Sequence, residues 1–482
     1  FLLVVWLPLV LGHVRSLASV QRPAVRARAS TPTQCVETGA EAAVLPGGEK
    51  RTRAKLVGYD HFVRSNPHSD RFEVLDFHHL EFICGDARST AAHWCTALGF
   101  QPFAVSNMMT GNTRYASHAI RSGSVVLVLT APYAASTSAA ASGDQEEAWH
   151  PSAAPNPSVD PTEMHAYFAK HGVSAFAVGV RVMDAQLAYN QALQGGATPR
   201  STPRTDPDSR CTVAEVQLYG DTVLRFVSGD ALHDGSLPFL PGYAPCPPAA
   251  PRCLGIARLD HVVGNVPQLL EVVDYVQDLS GFHEFAEFTA DDVGTVDSGL
   301  NSMVLASNNE RVLLPLNEPT YGSRRKSQIL TYLEQHDGAG VQHIALKTDD
   351  IFATVRTMRE VGAWGGGFDL MERPRAQYYA SLRERIGEDA LDDAELRQCE
   401  ELGILADRDD QGLLLQIFTK PVADRSTLFF EIIQRVGCSI DPQTGEAAEQ
   451  APGCGGFGKG NFHELFRAIE EYETKAGINA VD

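Results

Sequence analysis

The chain has 482 residues, 44% of them apolar and 21% charged, which is ordinary globular usage with room for two or three domains and excludes a disordered, collagenous or wholly membrane-embedded protein. Forty Lys and Arg against sixty Asp and Glu leave a net charge of −20, a field that repels phosphate backbones, so nucleic acid is not an expected partner. Nine cysteines at 35, 84, 95, 211, 246, 253, 399, 438 and 454 include no CxxC pair and read as reduced thiols, not as a disulfide framework or a zinc ribbon.

The first apolar run, Phe1 to Leu11, is too short to span a bilayer as a helix, which takes about 20 apolar residues, and no membrane association is expected from it. No Asp or Glu occurs before Glu37, whereas Arg15, Arg22, Arg26 and Arg28 recur among Ser and Ala. That is the composition of an organelle transit peptide, with a secretory signal as the competing reading; residues 1–50 are expected to be a targeting leader outside the fold. Further on, Ala134 to Glu163 is rich in Ala, Ser and Pro and reads as a long surface insertion. Between Gly235 and Arg252 the prolines 238, 241, 245, 247, 248 and 251 crowd together. Each fixes its own backbone and removes a donor, so the interdomain linker is placed there, over 235–256. The expected domains are 56–234 and 257–482.

Across that linker the two halves echo each other three times in the same order. FHHLEFICGDA at 77–87 resembles LDHVVGNVPQ at 259–268, HGVSAFAVGVRVMDA at 171–185 resembles AGVQHIALKTDDI at 339–351, and DTVLRFVS at 221–228 resembles STLFFEIIQ at 426–434. Each is a strand-like run leading into or out of a helical segment, the pattern of a duplicated α+β unit. The differences between the copies point to chemistry. His261 aligns with His79, but His343 aligns with Ala175 and Glu431 with Phe226. Two imidazoles and a carboxylate on three strands form the facial set that suits non-haem Fe(II), leaving positions open for substrate and oxygen. Glu431 is the sharpest of the three, because a carboxylate inside LFFEII is costly to bury uncompensated. A cation is the simplest compensation, and an ion pair with Arg435 is the alternative. Alternation along the strands puts Phe429 and Ile433 on the face of Glu431, Ala345 with His343, and Phe418 with Gln416. An aromatic beside a metal ligand suits a flat substrate.

The tail GCGGFGKGNFHELFRAIEEYETKAG runs from glycines 453, 455, 456, 458 and 460 into a helical pattern. Asn461 is placed to cap it, Glu464 sits three residues on as in a capping box, and Phe462, Leu465, Phe466, Ile469 and Tyr472 form one apolar stripe. A glycine hinge before a short amphipathic helix over 461–476 is what a lid requires; a helix docked permanently on the core is the plainer alternative.

With these motifs in view the sequence closely resembles the 4-hydroxyphenylpyruvate dioxygenase family, above all its plant and green-algal branch. The likeness runs from about residue 57 to the end and is densest in FTADDVGTVDSGLNSMVLAS, LLPLNEP, RRKSQI, GAGVQHIAL, ELGILADRDDQGLLLQIFTKP, FFEIIQRVGC and GCGGFGKGNF. The resemblance implies an α+β fold of two tandem vicinal-oxygen-chelate domains, open barrels of βαβββ repeats of which only the second is catalytic, with a C-terminal lid helix. It implies Fe(II) on His261, His343 and Glu431, with 4-hydroxyphenylpyruvate and O2 as substrates. A homodimer, a chloroplast or cytoplasmic location, and homogentisate supply for plastoquinone and tocopherol also follow from it. The family's pocket falls on Ser302, Asn317, Gln328, Gln342, Gln416, Phe418, Phe429, Phe457 and Asn461, with Phe462 close by, and Phe418 and Phe429 are expected to sandwich the substrate ring. A regular strand turns Gln342 away from the face of His343. Hydroxymandelate synthase, which oxidises the benzylic carbon of the same substrate, and a metal-free binding protein on the same fold are the rival readings.

Overall fold

The computed structural model describes residues 53–133, 155–156, 160–229, 232, 239–247, 253–293, 299–321, 325–439 and 449–479. The leader, most of the 134–163 insertion and residues 235–238 and 248–252 of the Pro-rich linker lie outside the described residues.

Two curled mixed sheets carry the fold. The first holds β1 (Val74–Ile83), β2 (Gln101–Ser106), β3 (Tyr115–Ser122), β4 (Val125–Pro132), β5 (Ser174–Val182), β6 (Pro199–Thr205), β7 (Thr212–Tyr219), β8 (Thr222–Ser228) and β9 (Ala244–Pro245). The second holds β10 (Ile256–Asn265), β11 (His283–Phe288), β12 (Leu300–Ala306), β13 (Leu313–Pro319), β14 (Gly340–Thr348), β15 (Leu405–Arg408), β16 (Gly412–Phe418) and β17 (Phe429–Gly437). Their strand orders are β6-β7-β8-β5-β1-β4-β3-β2-β9 and β11-β12-β13-β10-β14-β17-β16-β15. Read from opposite ends and matching β1 to β10, these are the same order, with β9 as an extra edge strand.

Each sheet is built twice over from one unit, a strand, a crossover helix and three further strands. The first and last strands of a unit pair in parallel, β1 with β4 and β5 with β8, and likewise β10 with β13 and β14 with β17. The strand-to-helix corners share a chemistry. Asp86, Asp184 and Asp350 each accept the backbone N–H three residues on, capping the helices Ala87–Leu98, Ala185–Gln194 and Ile351–Ala363. At the fourth corner Gln268 gives no cap, and Glu318 accepts the Leu269 N–H instead. An orphan N–H is satisfied at every corner, which fixes where each helix leaves its sheet.

Residues 53–482 form one compact unit, and its core is continuous between the sheets. Trp94, from a helix on the first sheet, meets Phe430 of β17 edge to face at 5.3 Å, so the first sheet braces the strand that carries Glu431. Two sequence expectations shift here. The helix Pro161–His171, capped by Asp160, begins inside the stretch read as an insertion. Part of the Pro-rich linker is β9, which pairs with β2 through Val105 and Ala244. An edge strand tolerates proline because only one side must pair.

Candidate metal centre

β10, β14 and β17 lie side by side at the middle of the second sheet. His261 is registered with Ala345, and Ala345 with Glu431, while His343 stands two residues along β14 on the same face. All three side chains therefore project from one concave surface, and the methyl of Ala345 leaves the space between them open. Glu431 Oε2 lies 3.2 Å from His261 Nε2 and 3.5 Å from His343 Nε2, and one ligand atom from each residue falls within 4.8 Å of the others. Ligands about 2.1 Å from a metal and at right angles to one another stand about 3 Å apart. The donor set thus fits a non-haem divalent metal at one shared point, and among the described residues it is the one such His/Cys/Asp/Glu group.

The partners behind the ligands set their chemistry. His261 Nδ1 bonds Asp260 Oδ1 at 2.9 Å and His343 Nδ1 bonds Gln342 Oε1 at 2.9 Å. An acceptor on Nδ1 holds the ring proton there and turns a bare Nε2 toward the site. Burial raises the cost of charge on Glu431, which is 3% exposed, yet hydrogen bonds from His261 and His343 outweigh it and hold the carboxyl down at about 2. Burial likewise works against charge on His261, but Asp260 and Glu431 draw its pKa above the ordinary value. His343, with no carboxylate behind it, is drawn below by burial. The alternative of Glu431 paired with Arg435 is replaced by a different pairing. Arg435 grips Asp260 with Nε at 2.9 Å and Nη2 at 2.7 Å.

A cavity opens on the three ligands. Ser302, Asn317, Gln416, Phe418, Phe457, Asn461 and Phe462 line it, joined by Val263, Phe288, Val304, Pro315, Gly458 and Leu465. Three residues assigned to the pocket from sequence are not among these lining residues. Gln342 sits behind His343, as strand alternation requires. Gln328 opens the helix Gln328–His336, buried outside the cavity lining. Phe429 stacks on His343 with centroids 4.8 Å apart, so it backs a ligand. Phe418 and Phe429 meet edge to face at 6.1 Å, so the two rings are not parallel to each other as a sandwich would need.

The C-terminal helix, Phe462–Ala476, is docked. Phe466 is buried among Phe288, Val293, Leu300 and Ile329. Asn461 makes no side-chain cap. Its amide instead donates to Gln416 Oε1 and accepts from the Tyr378 hydroxyl, so it belongs to the cavity wall. Glu464 pairs with Arg467 and closes no capping box. The reading of all cysteines as thiols also fails at one place, since Cys438 and Cys454 form a disulfide. They stand 16 positions apart in the chain, and the folding of the glycine segment back onto β16 and β17 brings them together. Six other cysteines are free thiols, and Cys35 lies outside the described residues.

The strand registers correct the comparison between halves. His79 is registered with Gly179 and Gly179 with Arg225, so Arg225, and not Phe226, stands where Glu431 stands. By the same pairing Ala177, and not Ala175, matches His343, because Glu81 faces Ala177 as Val263 faces His343. Arg225 Nη1 lies 2.7 Å from His79 Nε2, while Glu81 and Glu215 pair with the guanidinium at 2.6 and 2.7 Å. A buried fixed cation fills the first sheet's equivalent of the ligand set. Asp260 and Arg435 are the residues missed as functional. The signal was present in part, because Asp260 adjoins His261 and Arg435 lies four residues beyond Glu431, on the same face of its strand.

Residues 258–383 match the model of the Glyoxalase/Bleomycin resistance protein/Dioxygenase superfamily. The chain is 52% identical over 441 residues to 4-hydroxyphenylpyruvate dioxygenase of Plectranthus scutellarioides, covering 91% of this chain and 96% of that one. To the Arabidopsis thaliana enzyme of the same name it is 52% identical over 421 residues, covering 87% and 92%. A mutant 4-hydroxymandelate synthase from Streptomyces coelicolor shares the fold, with a TM-score of 0.64 at 24% identity over 83% of this chain and 99% of that one. Identity at that level along nearly the whole of both chains decides the matter: this chain belongs to the 4-hydroxyphenylpyruvate dioxygenase family.

Proposed function

We propose that the chain is an Fe(II)-dependent dioxygenase converting 4-hydroxyphenylpyruvate and O2 to homogentisate and CO2, the supply of precursor for plastoquinone and tocopherol. The observation that carries the reading is the buried set of His261, His343 and Glu431 opening on an aromatic-walled cavity. When bound there, Fe(II) supplies the Lewis acidity and redox chemistry for oxidative decarboxylation of a 2-oxo acid with ring hydroxylation. The residues of the chain bind, orient and exclude water. Phe418, Phe457, Phe288 and Phe462 give the ring an apolar enclosure, in which polar contacts gain strength. Ser302, Asn317, Gln416 and Asn461 offer donors and acceptors for the phenol hydroxyl and the carboxylate. Asn317 is already oriented by its bond to Asn265, and Asn461 by Gln416 and Tyr378.

The reading extends to a division of labour, with 257–482 catalytic and 56–234 supporting. It also extends to a homodimer acting in chloroplast or cytoplasm, features that rest on likeness to the plant family. Among the described residues no helix is long and apolar enough to cross a membrane. The deciding assay is Fe(II)-dependent O2 uptake with 4-hydroxyphenylpyruvate, followed by identification of the product. Homogentisate is expected. Formation of 4-hydroxymandelate would move the oxidation to the benzylic carbon, and absence of uptake would favour a metal-free binding protein.

A further inference from the structure

The partners of Arg435 reach in two directions. One edge of its guanidinium holds both oxygens of Asp260, whose Oδ1 also receives His261 Nδ1. The remaining Nη1 donates to the carbonyls of Cys454 at 2.6 Å and Gly456 at 2.7 Å. Those carbonyls flank the turn that presents Phe457, whose ring lies 5.2 Å from the His261 ring and walls the cavity. The turn is tightly constrained. Gly455 and Gly458 have φ of +77° and +72°, and a Cβ on Gly455 would stand 2.7 Å from the Leu413 backbone. Metal ligand, carboxylate, guanidinium, backbone carbonyls and Phe457 thus form a closed circuit that begins and ends at the cavity.

The first sheet serves as an internal control. Matching His79 to His261 and Arg225 to Glu431 places His78 where Asp260 stands and Gly229 where Arg435 stands. The half whose ligand set is filled by a guanidinium lacks both members of the pair, so neither is a requirement of the fold itself.

We propose that Asp260 and Arg435 are positioning residues that couple the metal centre to the Cys454–Gly458 turn, so that metal loading and the seating of Phe457 over the cavity reinforce each other. The coupling rests on the metal-centre reading above and deepens it. The Nδ1 side of His261 is held by Asp260, and Asp260 is held by a fork whose other arm binds the turn. Linkage is reciprocal, so a metal that orders His261 must order the turn by the same factor that the turn raises metal affinity. Loss of a carboxylate behind a ligating imidazole typically costs about 10 to 100-fold in metal affinity.

The test uses the full chain, stripped of metal and titrated with Co2+, whose absorption bands report binding without turnover. Hydrogen exchange at the amides of 453–461 is followed with and without Co2+. In the unmodified chain Co2+ should slow that exchange. Asp260→Asn and Arg435→Met should weaken Co2+ binding about tenfold or more and remove the slowing. Arg435→Lys, which keeps the charge but not the fork, should recover part of the affinity and none of the slowing, and it carries the test if the Met variant does not fold. Exchange indifferent to Co2+ in the unmodified chain, or Arg435 variants with unchanged Co2+ affinity, would overturn the coupling. Failure of the unmodified chain to bind Co2+ would overturn the metal centre itself and the coupling with it.

Discussion

Arg225 and Glu431 occupy the same register position in the two sheets, each on the last strand of the second unit, parallel to the strand that opens it. One is a cation gripped by Glu81 and Glu215, the other an anion gripped by two imidazoles. In the first sheet a guanidinium lies between two buried carboxylates, and in the second a buried carboxylate lies between two imidazoles, where the proposed metal would bind.

Arg225→Ala is therefore expected to strand Glu81 and Glu215 as uncompensated buried carboxylates. Breaking a buried pair from one side costs about 3–5 kcal/mol. Chemical denaturation should show a loss of that size, with Co2+ stoichiometry unchanged at the second sheet. A loss below about 1 kcal/mol would mean that the guanidinium does not stand in for a metal's charge.

Glu431→Gln keeps the shape of the ligand and removes its charge. Metal affinity should fall on the order of 100-fold, more than for any residue behind the ligands, and turnover should fall with it. Far-UV circular dichroism should not change. Retention of stoichiometric metal at micromolar concentration in this variant would remove Glu431 from the site.

How far the sequence carried these assignments depended on what each residue needed. His261, His343 and Glu431 were legible because a polar group inside an apolar strand is visible in the order of residues alone. The residue matched to Glu431 was off by one position and that matched to His343 by two, since the likeness of two apolar runs tolerates a slip and the register is set only by the neighbouring strand. The placement of Gln342 followed from alternation, but that of Phe429 did not. Alternation assigns a face and not the neighbour a ring will stack on. The Cys438–Cys454 bond was hidden because its geometry is made by a left-handed glycine turn folding back on β16 and β17, which no local pattern encodes.

Asp70 yields a pH dependence. Burial pushes its carboxyl up to about 6, and its Oδ1 has no hydrogen-bond partner, while Oδ2 accepts from the Asn308 backbone. A folded-state pKa above the unfolded value of 3.8 means that the folded chain holds the proton more tightly. The contribution of Asp70 to stability is full below about pH 4 and is lost as pH rises through 6. Asp70→Asn should therefore stabilise the protein at pH 7.5 by about 1–2 kcal/mol, after discount for partial exposure, and leave it little changed at pH 4. Equal effects at both pH values would show that the Asp70 carboxyl is not perturbed by burial.

Phe418 and Phe429 look equivalent in sequence, each on a face shared with a polar site residue, yet the structure separates their roles. Phe418 lines the cavity, whereas Phe429 is stacked flat on the His343 ring at 4.8 Å and is absent from the lining. Truncating the first removes apolar surface that a substrate ring would cover. Truncating the second removes the support that keeps a ligand in line. Phe418→Leu should raise KM for 4-hydroxyphenylpyruvate severalfold at unchanged Co2+ affinity, consistent with the loss of about 1 kcal/mol of aromatic contact. Phe429→Leu should do the reverse, weakening Co2+ binding while KM measured at saturating metal moves little. A raised KM in both variants with metal affinity intact in both would return Phe429 to the substrate pocket and restore the sandwich that the family resemblance implies.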